Sequence, residues 1–156
     1  MSNIQAAAIF DKILSADDSI KLTTLRKEIL TIFIQSKKPI SAYEVLKELK
    51  AQRETAEPPT VYRVIEYLIE KKILHRIDTE NKYVFCSHLE NTTLQYHGIL
   101  FICKTCHTAI EVIDKPFDNF LAKLSTSYHF TIDDSPVEIK GVYHRYIDQS
   151  AVFTKA

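Results

Sequence analysis

The chain has 156 residues, enough for one ordinary domain or two small ones, and its 46% hydrophobic and 26% charged residues fit a folded, water-soluble protein. Only two glycines, Gly98 and Gly141, argue against a glycine-rich phosphate loop, and three cysteines are too few for a secreted disulfide framework. The formal net charge is zero, yet residues 1–86 carry +2 and residues 87–156 carry −2, a slight bias of the first half toward nucleic acid.

In chain order, Ala6–Leu14 reads as a first helix, interrupted by Ser15-Ala16-Asp17-Asp18. Leu22, Leu25, Ile29, Ile32 and Phe33 keep helical spacing and place a second helix over Thr23–Ser36, closed by Lys37-Lys38-Pro39. Ser41 with Glu44 three residues on is a capping box, and the third helix it opens buries Val45, Leu46 and Leu49. After the polar stretch 52–57 and Pro58-Pro59, a fourth helix starts at Thr60. It turns Val61, Ile65, Leu68 and Ile69 inward and closes at Glu70-Lys71-Lys72. Ile73–Asp78 and Lys82–Cys86 then read as strands of a hairpin around Thr79-Glu80-Asn81. Three helices followed by a two-stranded hairpin predict a winged helix-turn-helix domain over residues 1–86.

Residues 87–95 are polar and read as a hinge. In residues 96–156, Ile99–Ile102 and Ala109–Ile113 read as strands flanking Cys103-Lys104-Thr105-Cys106. Phe117–Ser127 reads as a helix with Phe117, Phe120, Leu121 and Leu124 on one face, and Val137–Val142 as a last strand. The fold class is α+β, a winged helix-turn-helix followed by a small α/β domain. No apolar run reaches the roughly 18 residues of a membrane span. The N-terminus lacks the basic start of an export signal, so a cytoplasmic protein is expected.

Opposite its buried stripe the fourth helix presents Thr60, Tyr62, Arg63, Glu66, Tyr67 and Glu70. In a helix-turn-helix protein the first turns of the second motif helix meet base edges. Arg63 can fork onto a guanine, worth about 1–3 kcal/mol of discrimination. Tyr43 and Tyr62 suit phosphates or thymine methyls, and Arg26, Lys27, Lys37, Lys38 and Arg76 suit phosphates. The residues alone also describe a solvated helix face, or a winged helix that binds protein.

Four further residues, His75, Cys86, His97 and Glu111, fall at strand ends around the hinge. Two imidazoles, a thiolate and a carboxylate suit tetrahedral Zn²⁺, and four protein ligands leave no open position for catalysis. Read blandly, both histidines are surface and Cys86 is a small buried apolar residue. Cys103 and Cys106 are half a zinc knuckle, a redox pair or neither. Their position between two strands suits a zinc-binding turn better than a redox motif at a helix start. His88, His107, His129 and His144 are further conceivable ligands.

Several strings resemble the ferric uptake regulator family in order and spacing. They are Leu22–Leu30, Ile40-Ser41-Ala42-Tyr43-Glu44, Glu57–Arg63, Leu74-His75-Arg76-Ile77, Ile102–Glu111 and Val137–Gly141. The resemblance runs from about Ile4 to Tyr146, and Pro58-Pro59-Thr60-Val61-Tyr62-Arg63 and Ser41-Ala42-Tyr43 look like its zinc uptake branch. It implies a C-terminal dimerisation domain and a cytoplasmic homodimer. It also implies repression by binding palindromic double-stranded operator DNA when Zn²⁺ is loaded. His75, Cys86, His97 and Glu111 would form the regulatory site, and Tyr43 and Arg63 would contact bases. Neither a membrane nor a small-molecule substrate is implied.

The sequence departs from the family pattern where a second Cys-x-x-Cys follows the last glycine. Tyr143 and Tyr146 stand there, so the usual Cys₄ structural zinc site is expected to be absent, with His144 a doubtful replacement ligand. Leu25 replaces a common Gln, and the histidine-rich run of the iron branch is reduced to Tyr96-His97. The rivals are a zinc enzyme with Glu111 as general base, a degenerate or differently tuned regulator, and a redox sensor through Cys103 and Cys106.

Overall fold

The computed structural model describes residues 3–36, 38–86, 98–133 and 135–144, with side chains from Ala6 onward. The four N-terminal helices are α1 (Asn3–Ala16), α2 (Thr24–Gln35), α3 (Ala42–Gln52) and α4 (Pro58–Glu70). Local chemistry sets their ends. Thr23 caps α2 through its side chain. Ser41 and Glu44 form the reciprocal capping box that opens α3, with Ser41 N–H donating to Glu44 Oε2 at 2.7 Å. These hydrogen bonds hold the Glu44 carboxyl below the usual carboxylate range, the Ser41 backbone contributing most. Helix α4 begins at Pro58, two residues before the expected Thr60, because prolines fit a first turn whose N–H groups have no partners anyway.

Ile29, Leu30, Phe33, Val45, Leu49, Val61, Ile65 and Leu68 close into one core among α2, α3 and α4. The hairpin β1 (Leu74–Ile77) and β2 (Lys82–Phe85) is antiparallel, turned at Asn81 in the left-handed region. Ile40 pairs with Tyr83 through two backbone hydrogen bonds, which ties the α2–α3 connection to the hairpin.

The hairpin is a plank with two working faces. Leu74 and Tyr83 belong to the helical core, with Phe85 packed against it. The alternate positions Ile77 and Val84 instead join Leu100, Ile102 and Ala109 in a second, smaller cluster. Those last three residues come from the C-terminal sheet, β3 (Ile99–Cys103), β4 (Ala109–Val112) and β5 (Val137–Gly141), ordered β4-β3-β5. Strand β3 pairs antiparallel with β4 and parallel with β5, in a register that aligns Leu100 with both Glu111 and Glu138.

Aligned residues share a sheet face. One face therefore carries the row Glu111, Leu100, Glu138 toward the hairpin. The other carries Phe101, Ile110 and Ile139, which are 43%, 36% and 38% exposed. Helix α5 (Lys115–Tyr128) is capped by Asp114, which accepts from Phe117 N–H at 2.7 Å, and ends at a left-handed His129. Its expected core face corrects in part: Phe117 and Leu121 are half-buried, but Phe120 and Leu124 are exposed. The expected hinge 87–95 lies outside the described residues.

Candidate metal centre and nucleic-acid interface

His75 lies on β1 and points to the sheet side. Cys86 directly follows β2, held there by its N–H donating to Ile73 O at 2.9 Å. Glu111 comes from β4 of the C-terminal sheet. A single carboxylate oxygen joins all three: His75 Nε2 lies 2.7 Å from Glu111 Oε1, and Cys86 Sγ donates to the same oxygen at 3.4 Å. The side chains are mostly shielded, 18% exposed for His75 and 8% for Glu111.

One donor atom from each residue lies within 4.8 Å of the other two. Ligand atoms around tetrahedral Zn²⁺, at bond lengths of 2.0–2.3 Å, stand about 3.3–3.8 Å apart. The nitrogen, sulfur and oxygen donors thus fit such an ion with small adjustments. His97, expected as the fourth ligand, lies outside the described residues. Among the described residues this is the one such group of three, and Cys103, Cys106 and His144 do not form another.

Cys103 has a different setting. Its sulfur accepts N–H hydrogen bonds from Cys106 at 3.4 Å and Tyr143 at 3.2 Å. These donors, Cys106 foremost, pull the thiol down to about 6. Cys106 Sγ in turn donates to Thr108 Oγ1 at 3.3 Å, and His144 is exposed.

On the helical side, Tyr43 at the start of α3 is 73% exposed, and Thr60, Tyr62 and Arg63 are exposed in the first turns of α4. Tyr67 sits otherwise than expected, and Arg26 has partners within the helical domain. Tyr67, read as facing outward, is half-buried, and its hydroxyl accepts from Lys21 N–H at 2.8 Å. Arg26, read as a phosphate contact, lies with its guanidinium 3.4 Å from the centre of the Tyr67 ring and donates to Lys21 O at 2.6 Å. It braces α2 against α4 within the helical domain.

One residue escaped the sequence reading. Glu138 on β5 accepts from Asp78 N–H at 2.7 Å and from the Thr79 hydroxyl, so the hairpin turn is grasped from the other half of the chain. The alternation of Val137, Glu138, Ile139 and Lys140 did mark Glu138 for the face opposite Ile139. Nothing local marked its partners 59 and 60 residues away.

Residues 17–140 match the profile of the ferric uptake regulator family. The chain belongs to that family. Its curated relatives include the zinc uptake regulation protein of Escherichia coli (strain K12), 28% identical over 127 residues, covering 81% of this chain and 73% of the relative. Among solved structures, a zinc uptake regulator complexed with zinc and DNA superposes with a TM-score of 0.80 at 27% identity, over 92% of this chain and 94% of that one. The holo form of XcZur superposes at 0.77 and 27% identity, over 91% and 96%. Membership in this family makes the chain a regulator and not an enzyme, so Glu111 has no role as a general base. No helix among the described residues is long and apolar enough to cross a membrane.

Proposed function

We propose that this protein is a zinc-responsive repressor that binds palindromic operator DNA as a homodimer and controls zinc uptake. The observation that carries the reading is the convergence of His75 and Cys86 from the wing with Glu111 from the C-terminal sheet. A ligand set drawn from both halves of a chain makes their mutual angle depend on the ligand. Support also comes from a solved relative described as a zinc uptake regulator in complex with zinc and DNA.

Zinc, when bound, supplies a bond that joins wing and sheet, with His97 as the fourth donor. The chain's own residues do the rest. His75 and Ile77, on the same side of β1, lay the wing along the sheet. Arg63, Tyr62 and Thr60 on α4, with Tyr43 on α3, face outward to meet base edges and phosphates. Phe101, Ile110 and Ile139 on the outer sheet face, together with Phe120 and Leu124 of α5, supply apolar surface for the second copy. A two-fold dimer must space its reading helices by about 34–36 Å, or a multiple, to reach successive major-groove faces. Fixing the wing angle therefore fixes the operator fit.

The test selects duplexes from a random pool in the presence of zinc. Affinity is then read by fluorescence anisotropy with zinc and with chelator. Wild type binds only with zinc, Cys86→Ala loses the zinc response, and Arg63→Ala keeps its zinc but loses the duplex. Equal affinity in zinc and chelator rejects the reading. The sulfur setting of Cys103 favours a second reading, in which peroxide takes two hydrogens from Cys103 and Cys106 to give a disulfide and two waters. Duplex binding that answers to peroxide and ignores chelator selects it.

A further inference from the structure

We propose that Glu138 is a positioning residue that biases the wing toward the C-terminal sheet before any metal arrives, and so sets the zinc concentration at which the regulator responds. The inference rests on the zinc-switch reading above and assigns it a second, metal-independent latch.

The geometry is a three-point dock along a single strand. Glu111, Leu100 and Glu138 form one row across β4, β3 and β5. Strand β1 and its turn meet that row in order. His75 meets Glu111 at 2.7 Å, Ile77 packs on Leu100, and Asp78 N–H with the Thr79 hydroxyl meets Glu138. The outermost contact is polar yet lies outside the metal-ligand group.

It is well built for holding an angle. The Glu138 carboxylate uses one oxygen for a backbone N–H and the other for a hydroxyl. The Asp78 carboxylate is turned aside to Arg76 Nε at 2.9 Å, so it does not oppose Glu138 at the turn. Hydrogen bonds to a charged acceptor are the stronger kind. A backbone N–H held by a carboxylate fixes the main chain of the turn, so the whole hairpin follows.

Two consequences separate a latch from a generic stabiliser. A ligand that needs the closed arrangement binds with an apparent affinity reduced by the fraction that is closed. Removing the latch thus shifts the zinc half-point upward, while saturating zinc restores full operator binding. Loss of folding would lower the plateau as well.

The experiment places one spin label on α3 and one on the exposed end of β5, and measures their separation in full-length protein by pulsed electron resonance. Wild type, Glu138→Ala and Thr79→Val are compared across a titration with buffered zinc. Without zinc, wild type gives a broad distance distribution that includes a distinct closed population, and Glu138→Ala loses that population. Zinc narrows both proteins to the closed distance, the variant at a free concentration about tenfold higher. Thr79→Val, which leaves β5 untouched, shifts in the same direction by less, and in the double variant the two effects fail to add.

Identical zinc-free distributions and identical zinc half-points for wild type and Glu138→Ala overturn the proposal. Should Glu138→Ala fold poorly by circular dichroism, Thr79→Val carries the same comparison. A variant that loses the closed population while zinc narrows neither protein retains the latch and sinks the zinc-switch reading.

Discussion

Ile77 offers a way to weaken the dock without touching the metal ligands or the helical core. It is fully buried, but only in the small cluster with Leu100 and Ile102; the large helical core lies on the opposite face of its hairpin. Truncating a buried Ile to Ala costs about 2–5 kcal/mol, the spread reflecting how far the walls collapse. Here the walls belong to two bodies, so the cost falls on the closing equilibrium. At roughly 1.4 kcal/mol per factor of ten, the low end of that range lowers the closed-to-open ratio by about 30-fold. Ile77→Ala should therefore weaken zinc binding by about 30-fold or more, read by competition with a chromophoric chelator. Its helical melting curve should stay close to wild type. Ile29→Ala, in the main core, is the control and should behave oppositely: a lowered melting temperature, with near-normal zinc affinity in the molecules that remain folded. An Ile77→Ala protein that melts as early as Ile29→Ala yet binds zinc normally would show that wing and sheet are not docked through this cluster.

Two other outcomes are open to direct measurement. Phe101→Asp puts a charge in the middle of the outer sheet face and should convert the proposed dimer to single chains of 18.0 kDa by light scattering, with zinc affinity retained because that side chain points away from Glu111; an unchanged mass of two chains places the contact between copies elsewhere. Cys103 is held down to about 6 in the folded protein, so its ionisation stabilises the fold fully above the ordinary thiol range, and that contribution is lost as pH falls toward about 6. Urea midpoints of zinc-free protein should thus fall more steeply with decreasing pH in wild type than in Cys103→Ser, and parallel curves would contradict the N–H···S account.

The elements legible in the sequence were those with local causes. The Ser41–Glu44 box, the turn at Asn81 and the Cys103–Cys106 turn between strands each depend on residues within a few positions, and each appears where expected. Helix α4 starts two residues before Thr60, because proline marks a boundary in a sequence and also serves as a first turn. Asp114 caps α5, and its spacing to Phe117 carries that signal in the sequence. Phe120 and Leu124 lie on the apolar face of α5 yet are exposed, because periodicity reports an apolar face and says nothing of what covers it. The metal candidates were named from residue type and from resemblance, and three of the four come together in space. Their convergence depends on the docking of two halves, as does the clasp at Glu138, and such contacts leave no periodic trace.

The alignment of Leu100 with both glutamates gives β5 a parity. Slide that strand one residue along β3 and every side chain changes sides: Glu138 would leave the hairpin for the greasy outer surface, and Val137 or Ile139 would face the turn in its place. Length changes in the loop before Val137 leave this parity unaltered so long as the strand keeps its phase. A single residue inserted within 137–141 would leave the sheet's pairing almost intact while spoiling both of its surfaces together.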